Sequence, residues 1–223
     1  MNARFATLLL PIVAAGCASG PQVTVNDDVA TGWRGKTVIL TERPRADFVP
    51  MSAGHAAFAM LGAVVAIQQG KQLVAENGIE DPAPHIARDL LELAKLQRGL
   101  LPSDLPPAKL NTTDVAQIAS AGAGADLVLD VEPLEGGFHY FAMDWTHYWV
   151  RSGFVIRIVD VKTSAVVAGA TCRRDSRDDP KPPTNDELMA NRAERLKQVL
   201  ASQRDACRDE FATTVLRIAP RKI

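Results

Sequence analysis

Short apolar stretches alternate with polar turns along the first half of the chain. Residues 36–40 form an apolar run between Gly35 and the break at Arg43-Pro44, and this run predicts a short strand. Residues 127–132 place two leucines and a valine on one face and two acids on the other. This alternation predicts a second strand with one apolar face.

The strongest β pattern lies in the second half. Residues 145–161 form the longest β-like region, and a turn at 160–164 leads into another apolar run at 165–172. Together they predict a long hairpin. The polar residues 173–183 that follow are expected to form a solvated loop, and an anion site is the alternative.

Residues 53–75 are rich in alanine, valine, leucine and glycine, with no charged residue between Asp47 and Lys71. They predict one helix or a pair of helices. Because His55 and Gln68 enclose only about a dozen apolar residues, the segment is shorter than the roughly 20 residues needed to span a membrane. We expect a buried or partner-packed helix, and a membrane-surface or oligomer-forming hairpin remains the alternative.

Three further signals lie between this segment and the strand at 127–132. The sequence Asp81-Pro82-Ala83-Pro84 is typical of a helix start, and that helix is expected to end near Gly99. Residues 105–110 contain two prolines and are compatible only with an edge strand. Thr112 or Thr113 is expected to cap the next short helix.

The last element has the clearest local signals. Thr184 and Glu187 form a capping box before a long amphipathic run. Its apolar residues recur at three- and four-residue steps and lie on one stripe: Met189, Ala193, Leu196, Leu200, Cys207, Phe211, Val215 and Ile218. The whole order predicts an α/β (α+β) fold, in which helices pack on a small mixed sheet of about four to five strands.

The chain opens with a secretory signal. Arg4 precedes an uncharged apolar run at 5–15, which is too short for a permanent membrane span. The cleavage region, Val13-Ala14-Ala15-Gly16-Cys17, resembles the lipobox of bacterial lipoproteins. That resemblance implies a diacylglycerol on the Cys17 thiol, cleavage just before Cys17 and acylation of its new amino group. An ordinary signal peptide is the alternative.

The same resemblance implies an address and a domain plan. Ala18 after the cysteine, where aspartate would favour the inner membrane, implies passage to the outer membrane with the domain on the periplasmic face. We therefore expect a signal peptide at 1–16, a lipidated tether at 17–30 and a single domain at 31–223. The only expected cofactor-like group is the covalent lipid on Cys17.

Charge and cysteine content fit this plan. Loss of Arg4 with the signal changes the balance from 25 basic and 26 acidic residues to 24 and 26. This near-neutral balance argues against nucleic-acid binding and against a polybasic membrane patch. In an oxidising compartment, the remaining Cys172 and Cys207 are expected to form a disulfide, and two separate buried thiols are the alternative.

Two phrases resemble a known group of proteins. Residues 123–129 (AGADLVL) and 155–163 (VIRIVDVKT) resemble phrases of the periplasmic α/β lipoproteins related to the curli-secretion lipoprotein. Outer-membrane activators of penicillin-binding proteins share that architecture. The resemblance implies a non-enzymatic envelope protein that acts through assembly, as a homo-oligomer or with a protein partner. The segment 53–75 and the aromatic cluster near Trp145 depart from it.

Most aromatic residues of the second half lie between 138 and 149. We take Phe141, Trp145, Tyr148 and Trp149 as candidate partner-binding residues, because amphipathic rings suit partly apolar surfaces. The alternative is a hairpin whose rings pack into the core as cross-strand pairs.

Little else suggests chemistry. His139, Asp144 and His147 are close in sequence, but Asp144 has the opposite strand parity, so no metal site is predicted. Ser152 is the nearest hint of a nucleophile, without a nucleophile elbow or a phosphate loop. We expect no enzyme but a lipid-anchored envelope accessory; a periplasmic module that binds lipid or an apolar small molecule is the alternative, with a hydrolase less favoured.

Overall fold

A seven-stranded mixed sheet forms the framework of the described part of the chain. The computed structural model describes residues 22–52 and 59–220, and side chains within 59–63 are excluded. The strands are β1 (Thr37–Glu42), β2 (Phe48–Met51), β3 (Leu101–Pro102), β4 (Ala108–Lys109), β5 (Leu127–Phe141), β6 (Asp144–Asp160) and β7 (Ala165–Asp175). Their order is β3-β1-β5-β6-β7, while β2 pairs with β5 and β4 with β1. The α/β class is confirmed, and the sheet has more strands than the four or five expected.

Five helices and one π-helical turn complete the described chain. They are α1 (Asp27–Thr31), α2 (Ala59–Asn77), α3 (Pro82–Arg98), α4 (Val115–Ala121), α5 (Asn185–Glu210) and the π-helical turn (Phe211–Val215). In the described ranges no helix is long and apolar enough to cross a membrane.

The antiparallel strands β5, β6 and β7 dominate the sheet. Strand β5 pairs with β6 from Leu127 opposite Asp160 to Phe141 opposite Asp144, and β7 pairs with the other edge of β6. The register shifts between Pro133 and Glu135, because one extra residue bulges where proline cannot donate a ladder hydrogen bond. The shift reverses the parity of β5, so even residues before the bulge share a face with odd residues after it.

The two faces of the sheet differ in their cover. On the inner face, α3, α5 and the π-helical turn pack over β5, β6 and β7 in the main core. A second core near the β5–β6 turn joins α2 and α5 to the same face. On the outer face, the described helix that packs is α4, whose Ile118 and Ala119 cover Ile39, Val128 and Val159. Among the described helices, none covers the rest of the outer face.

The N-terminal cap of α3 is the one that the sequence predicts, and the N-terminal cap of α4 is a different residue. Asp81 caps α3 by accepting a hydrogen bond from the Ala83 N–H, and Gly99 ends it in the left-handed conformation. The cap of α4 is Asp114, which accepts from two backbone N–H groups. The prediction of Thr112 or Thr113 was wrong, because a carboxylate can accept both bonds and the Thr112 hydroxyl instead accepts from the Asp114 N–H.

Helix α2 runs antiparallel to β2. A Cβ added at Gly70 would come 1.6 Å from the carbonyl oxygen of Phe48, so glycine is required for this close approach. Further along the chain, the carbonyl of Ile79 accepts a hydrogen bond from Arg45. The start of α2 therefore lies toward the Met51 end of β2. Residues 59–75 of the apolar segment are helical, as expected, and residues 53–58 lie outside the described residues.

The capping box of Thr184 and Glu187 is present at the start of α5. The long helix is not continuous, because Asn191, Arg192 and Ala193 have positive φ angles. Beyond this turn the predicted stripe is buried from Ala193 to Ile218. The terminal helix is thus two segments that share one apolar face.

The domain begins earlier than expected. Val23 pairs with Gly169 of β7, and Val25 and Ala30 are buried in the main core. Residues 22–30, which we assigned to the tether, are therefore part of the folded domain. Cys17 and the signal segment lie outside the described residues.

The disulfide joins Cys172 on β7 to Cys207 on α5, with 5.7 Å between their Cα atoms. It links the edge of the sheet to the helix that covers its inner face. Both cysteines are buried.

Candidate functional site

The four candidate aromatic residues occupy different environments. Tyr148 is 6% exposed and packs edge-on against Phe138 at 5.6 Å between ring centroids. It belongs to the second core, so its assignment as a partner-binding residue was wrong. Trp145 is 67% exposed at the β5–β6 turn, while Trp149 and Phe141 are half-buried. Because Tyr148 and Trp149 are neighbours on one strand, they point to opposite faces of the sheet.

The β5–β6 turn is held by its own polar groups. The indole Nε1 of Trp145 donates to the carbonyl of Ala142 at 3.1 Å. Asp144 accepts hydrogen bonds from the Thr146 hydroxyl and N–H and pairs with His147. These bonds, from Thr146 first and His147 next, lower the pKa of Asp144 to about 2. The turn therefore carries a fixed carboxylate beside the exposed Met143 and Trp145.

On the outer face, an ion-pair network is buried at β1, β5 and β6. The carboxylate of Asp130 is 0% exposed. It accepts hydrogen bonds from Arg43 at 2.6 and 2.9 Å, from Arg157 at 2.7 Å and from the Thr41 hydroxyl at 2.7 Å. Arg157 also donates to Glu132 at 2.6 Å. Two arginines and two acids balance one another, so this network is closed and has a structural role.

A cleft lies beside this network on the outer face, on the side nearer the β5–β6 turn. It has a volume of about 410 Å³ and reaches over the free edge of β7. Its charged lining consists of Glu135, Arg151, Arg173, Arg174, Asp175, Arg177 and Glu210. Four arginines against three acids give the cleft a formal charge of +1, and Trp149 forms its apolar wall. We call this surface the Trp149 cleft.

Trp149 contacts two flat groups. The ring of His139 stacks on it at 4.8 Å between centroids, with planes 20° apart. The guanidinium of Arg177 lies 4.9 Å from the ring centroid on a cation–π contact. Arg177 in turn pairs with Asp175 at 2.6 Å. The indole therefore has a fixed orientation before any partner arrives.

His139 is neutral at neutral pH. Burial, and secondly the positive charge of Arg151, lower its pKa to about 4, while Glu135 acts in the opposite direction. Its Nε2 is buried without a hydrogen-bond partner in the described structure. The neutral ring serves as a stacking support for Trp149 rather than as a charge.

Glu135 organises the arginines of the cleft. Its two oxygens lie 3.2 Å from Nε of Arg151 and 3.2 Å from Nε of Arg173. The contact with Arg173 is a hydrogen bond. The angle at Arg151 does not make one, so its buried Nε lacks a hydrogen-bond acceptor among the described residues. Arg151 and Arg173 thus share one carboxylate.

The other candidate chemistry separates in space. His139 stacks beneath Trp149, whereas Asp144 and His147 pair at the turn. Over the described ranges no group of three or more potential ligands could hold a metal ion. The Ser152 hydroxyl is buried and donates to Gln203 at 2.8 Å, so it stabilises the packing of α5. A crevice between Phe48, Phe154 and Leu200 measures about 30 Å³, too small for an acyl chain.

Sequence reasoning missed the arginines of the cleft. Arg151 lies in the predicted strand, whereas Arg173, Arg174 and Arg177 lie in the segment 173–183, for which we favoured a solvated loop over an anion site. That boundary was wrong, because β7 continues to Asp175 in register with β6. The available signal was the odd parity that Arg151 and Trp149 share on one strand. It was ambiguous, because the sequence alone does not show which face of β6 the helices cover.

Comparisons with known proteins show only distant likeness. No family model and no curated protein matches the chain. Among solved structures it is similar to the hypothetical protein CT253 from Chlamydia trachomatis, with 13% identity, coverage of 76% of this chain and 90% of the other, and a TM-score of 0.33. It is similar to lipoprotein GNA1162 from Neisseria meningitidis (11% identity, 75% and 96% coverage, TM-score 0.26). The third is the C-terminal domain of LpoB from Escherichia coli (16% identity, 64% and 84% coverage, TM-score 0.20). No functional residue is carried over from these proteins.

Proposed function

We propose that this chain is a lipid-anchored, non-enzymatic accessory protein of the bacterial outer envelope, which binds a protein partner in the Trp149 cleft. The observation that carries the proposal is the fixed Trp149 ring beside four arginines on a sheet face left open by the described helices. Tryptophan and arginine are the residues most enriched at the energetic centres of protein interfaces.

The cleft is organised before binding. His139 and Arg177 both contact the Trp149 ring, and Glu135 pairs with two arginine side chains. A partner therefore meets side chains whose rotamer freedom is already restricted, which reduces the entropic cost of association.

The charge of the cleft favours an acidic partner segment. Its formal charge of +1 comes from arginines whose planar guanidinium groups bind carboxylates with paired hydrogen bonds. Arg151 and Arg173 share the single carboxylate of Glu135. A partner carboxylate beside Trp149 would complement the excess positive charge of the cleft.

The anchor is proposed from the Val13-Ala14-Ala15-Gly16-Cys17 sequence. Two or three acyl chains on Cys17 would hold the domain on the membrane almost irreversibly. We expect the native protein to carry acyl mass and to fractionate with the outer membrane, and Cys17→Ser to lose the acyl mass. A native protein of unmodified mass, released into the soluble periplasmic fraction, would rule out the anchor.

Site-specific photo-crosslinking in living cells tests the partner surface. A benzoylphenylalanine is placed at Thr171, which lines the Trp149 cleft, or at Lys162, which lies in the exposed turn at the far end of β6. We expect one defined protein adduct from position 171 and none from 162. Trp149→Ala should lower the adduct yield at least about tenfold, because truncating a central interface tryptophan costs about 2 kcal/mol or more.

The matched control is Trp145→Ala, which removes a tryptophan four residues away but outside the cleft lining. Its adduct yield should equal that of the parent chain. An adduct of twice the chain mass would identify a second copy as the partner. Equal adducts from 171 and 162, or an adduct insensitive to Trp149→Ala, would contradict binding in the cleft.

A further inference from the structure

One end of the molecule exposes apolar side chains. Met143 is 98% exposed and Trp145 67% exposed at the β5–β6 turn, next to the exposed Ala142. Single exposed apolar residues are ordinary on protein surfaces. Here they project together from the tip of the longest hairpin in the described structure.

Helix α2 adds two more exposed apolar residues at the same end. Val64 is 63% exposed and Val65 46% exposed. Because Gly70 lies against Phe48 and α2 runs antiparallel to β2, the valines lie about 9 Å from Gly70 toward the β5–β6 turn. We call Val64, Val65, Ala142, Met143 and Trp145 the apolar end.

The first described residues run away from this end as the chain enters the sheet. Val23 pairs with Gly169 in an antiparallel bridge. Strand β7 runs toward the β5–β6 turn, since Asp175 lies opposite Arg151 and Gly169 opposite Arg157. Gln22, the first described residue, therefore lies on the side of Val23 that is nearer the apolar end.

The number of residues between Cys17 and Val23 limits the orientation of the domain on the membrane. Cys17 lies six residues before Val23, so at full extension it is at most about 20 Å away. The twelve residues from Arg157, level with Val23, to Trp145 span about 40 Å of strand. A sheet inclined at roughly 30° to the membrane plane brings the apolar end to the surface while the anchor stays in the bilayer.

We propose that the apolar end inserts into the headgroup region of the membrane that holds the Cys17 lipid. The inference rests on the lipid anchor of the proposed function and is independent of the partner cleft. Membrane contact at the apolar end leaves the Trp149 cleft on the outer sheet face available to a partner.

The polar groups of the turn fit a shallow insertion. The Trp145 N–H is already bonded to the Ala142 carbonyl, so burying the indole leaves no donor unsatisfied. The Asp144 carboxylate, bonded to Thr146 and paired with His147, stays at headgroup level because a charge does not enter the hydrocarbon. Met143 and Trp145 on either side of it are the residues that enter.

Quenching by brominated lipids tests the insertion. The mature lipidated chain with Trp149→Phe is placed in vesicles of phosphatidylethanolamine and phosphatidylcholine, with or without bromine on the acyl chains. Trp33 is 1% exposed, so the other remaining tryptophan, Trp145, reports lipid contact. We expect brominated lipid to remove about half of the Trp145 fluorescence, as for a ring at the headgroup–acyl boundary.

Two matched variants define the contact. Met143→Asp should abolish the quenching. Leu96→Asp should not, because Leu96 is 78% exposed near the end of α3, where Leu101 pairs with Thr37 at the opposite end of the sheet. If the chain has the acylated mass and brominated lipid does not quench Trp145, this inference alone is overturned. That holds whether aqueous acrylamide reaches Trp145 or the protein shields it. A chain without acyl mass overturns the inference and the anchor together.

Discussion

Asp130→Ala is expected to lower the free energy of unfolding by about 3–5 kcal/mol, because it leaves two buried arginines without their shared counter-ion. The carboxylate is 0% exposed, and the side chains of Arg43 and Arg157 are 6% and 11% exposed. Neither guanidinium can recover full hydration in the folded state, so the penalty is the desolvation of charges that have lost their partner.

Urea unfolding followed by circular dichroism measures this loss. The control is Glu80→Ala, which removes an acid that is 78% exposed and paired with His85; a surface pair of this kind is worth about 0–1 kcal/mol. A combined variant, Arg43→Met with Asp130→Leu and Arg157→Met, should recover much of the stability, since apolar residues replace the whole network. A loss below about 1 kcal/mol for Asp130→Ala would contradict a buried network.

Elements with strong local signals could be predicted from the sequence. The capping box at Thr184, the start of α3 at Asp81 and the β6–β7 hairpin each depend on residues within a few positions of one another. Side-chain hydrogen bonds to nearby N–H groups and strand periodicity act locally, so the pattern contains the information. The Cys172–Cys207 disulfide followed from compartment chemistry together with the amphipathic stripe of α5.

Elements that depend on distant partners could not. Strand β2 has four residues, including Pro50, and exists because residues 136–139 of β5 lie beside it. Strand β3 has two residues and pairs with β1. Strand β4 lies within residues 105–110, where the sequence allows an edge strand, but its pairing with β1 is limited to two residues. The left-handed turn at Asn191, Arg192 and Ala193 interrupts a sequence that reads as one helix. Tertiary packing decides such features, and local propensity does not.

The candidate site shows the same division. The sequence located the aromatic cluster but could not separate Tyr148, which is buried in the core, from Trp149, which lines the cleft. Strand parity places them on opposite faces, and the burial of one face follows from where α2 and α5 pack. The arginines that complete the cleft come from β6, β7 and the segment after β7, so only the pairing of these strands brings them together.

Removal of the disulfide by Cys172→Ala with Cys207→Ala is the second large effect. The bond closes a loop with a sequence separation of 35 residues. By loop-closure entropy, its absence should lower the free energy of unfolding by about 4 kcal/mol, because the unfolded chain gains conformational freedom. The bond also fixes the edge of the Trp149 cleft, because Arg174 on β7 pairs with Glu210 on α5 close to it.

Thermal and urea unfolding of the double variant and the parent, each with and without dithiothreitol, separates the bond from the side chains. Cys207 is 0% exposed and Cys172 5% exposed, so dithiothreitol should reduce the disulfide of the parent only near the unfolding transition. The reduced parent should then be as unstable as the double variant. The reductant should not affect the double variant. We also expect its photo-adduct yield from position 171 to fall, since the β7 wall of the cleft is no longer tied to α5. A double variant within about 1 kcal/mol of the oxidised parent would contradict a stabilising bond.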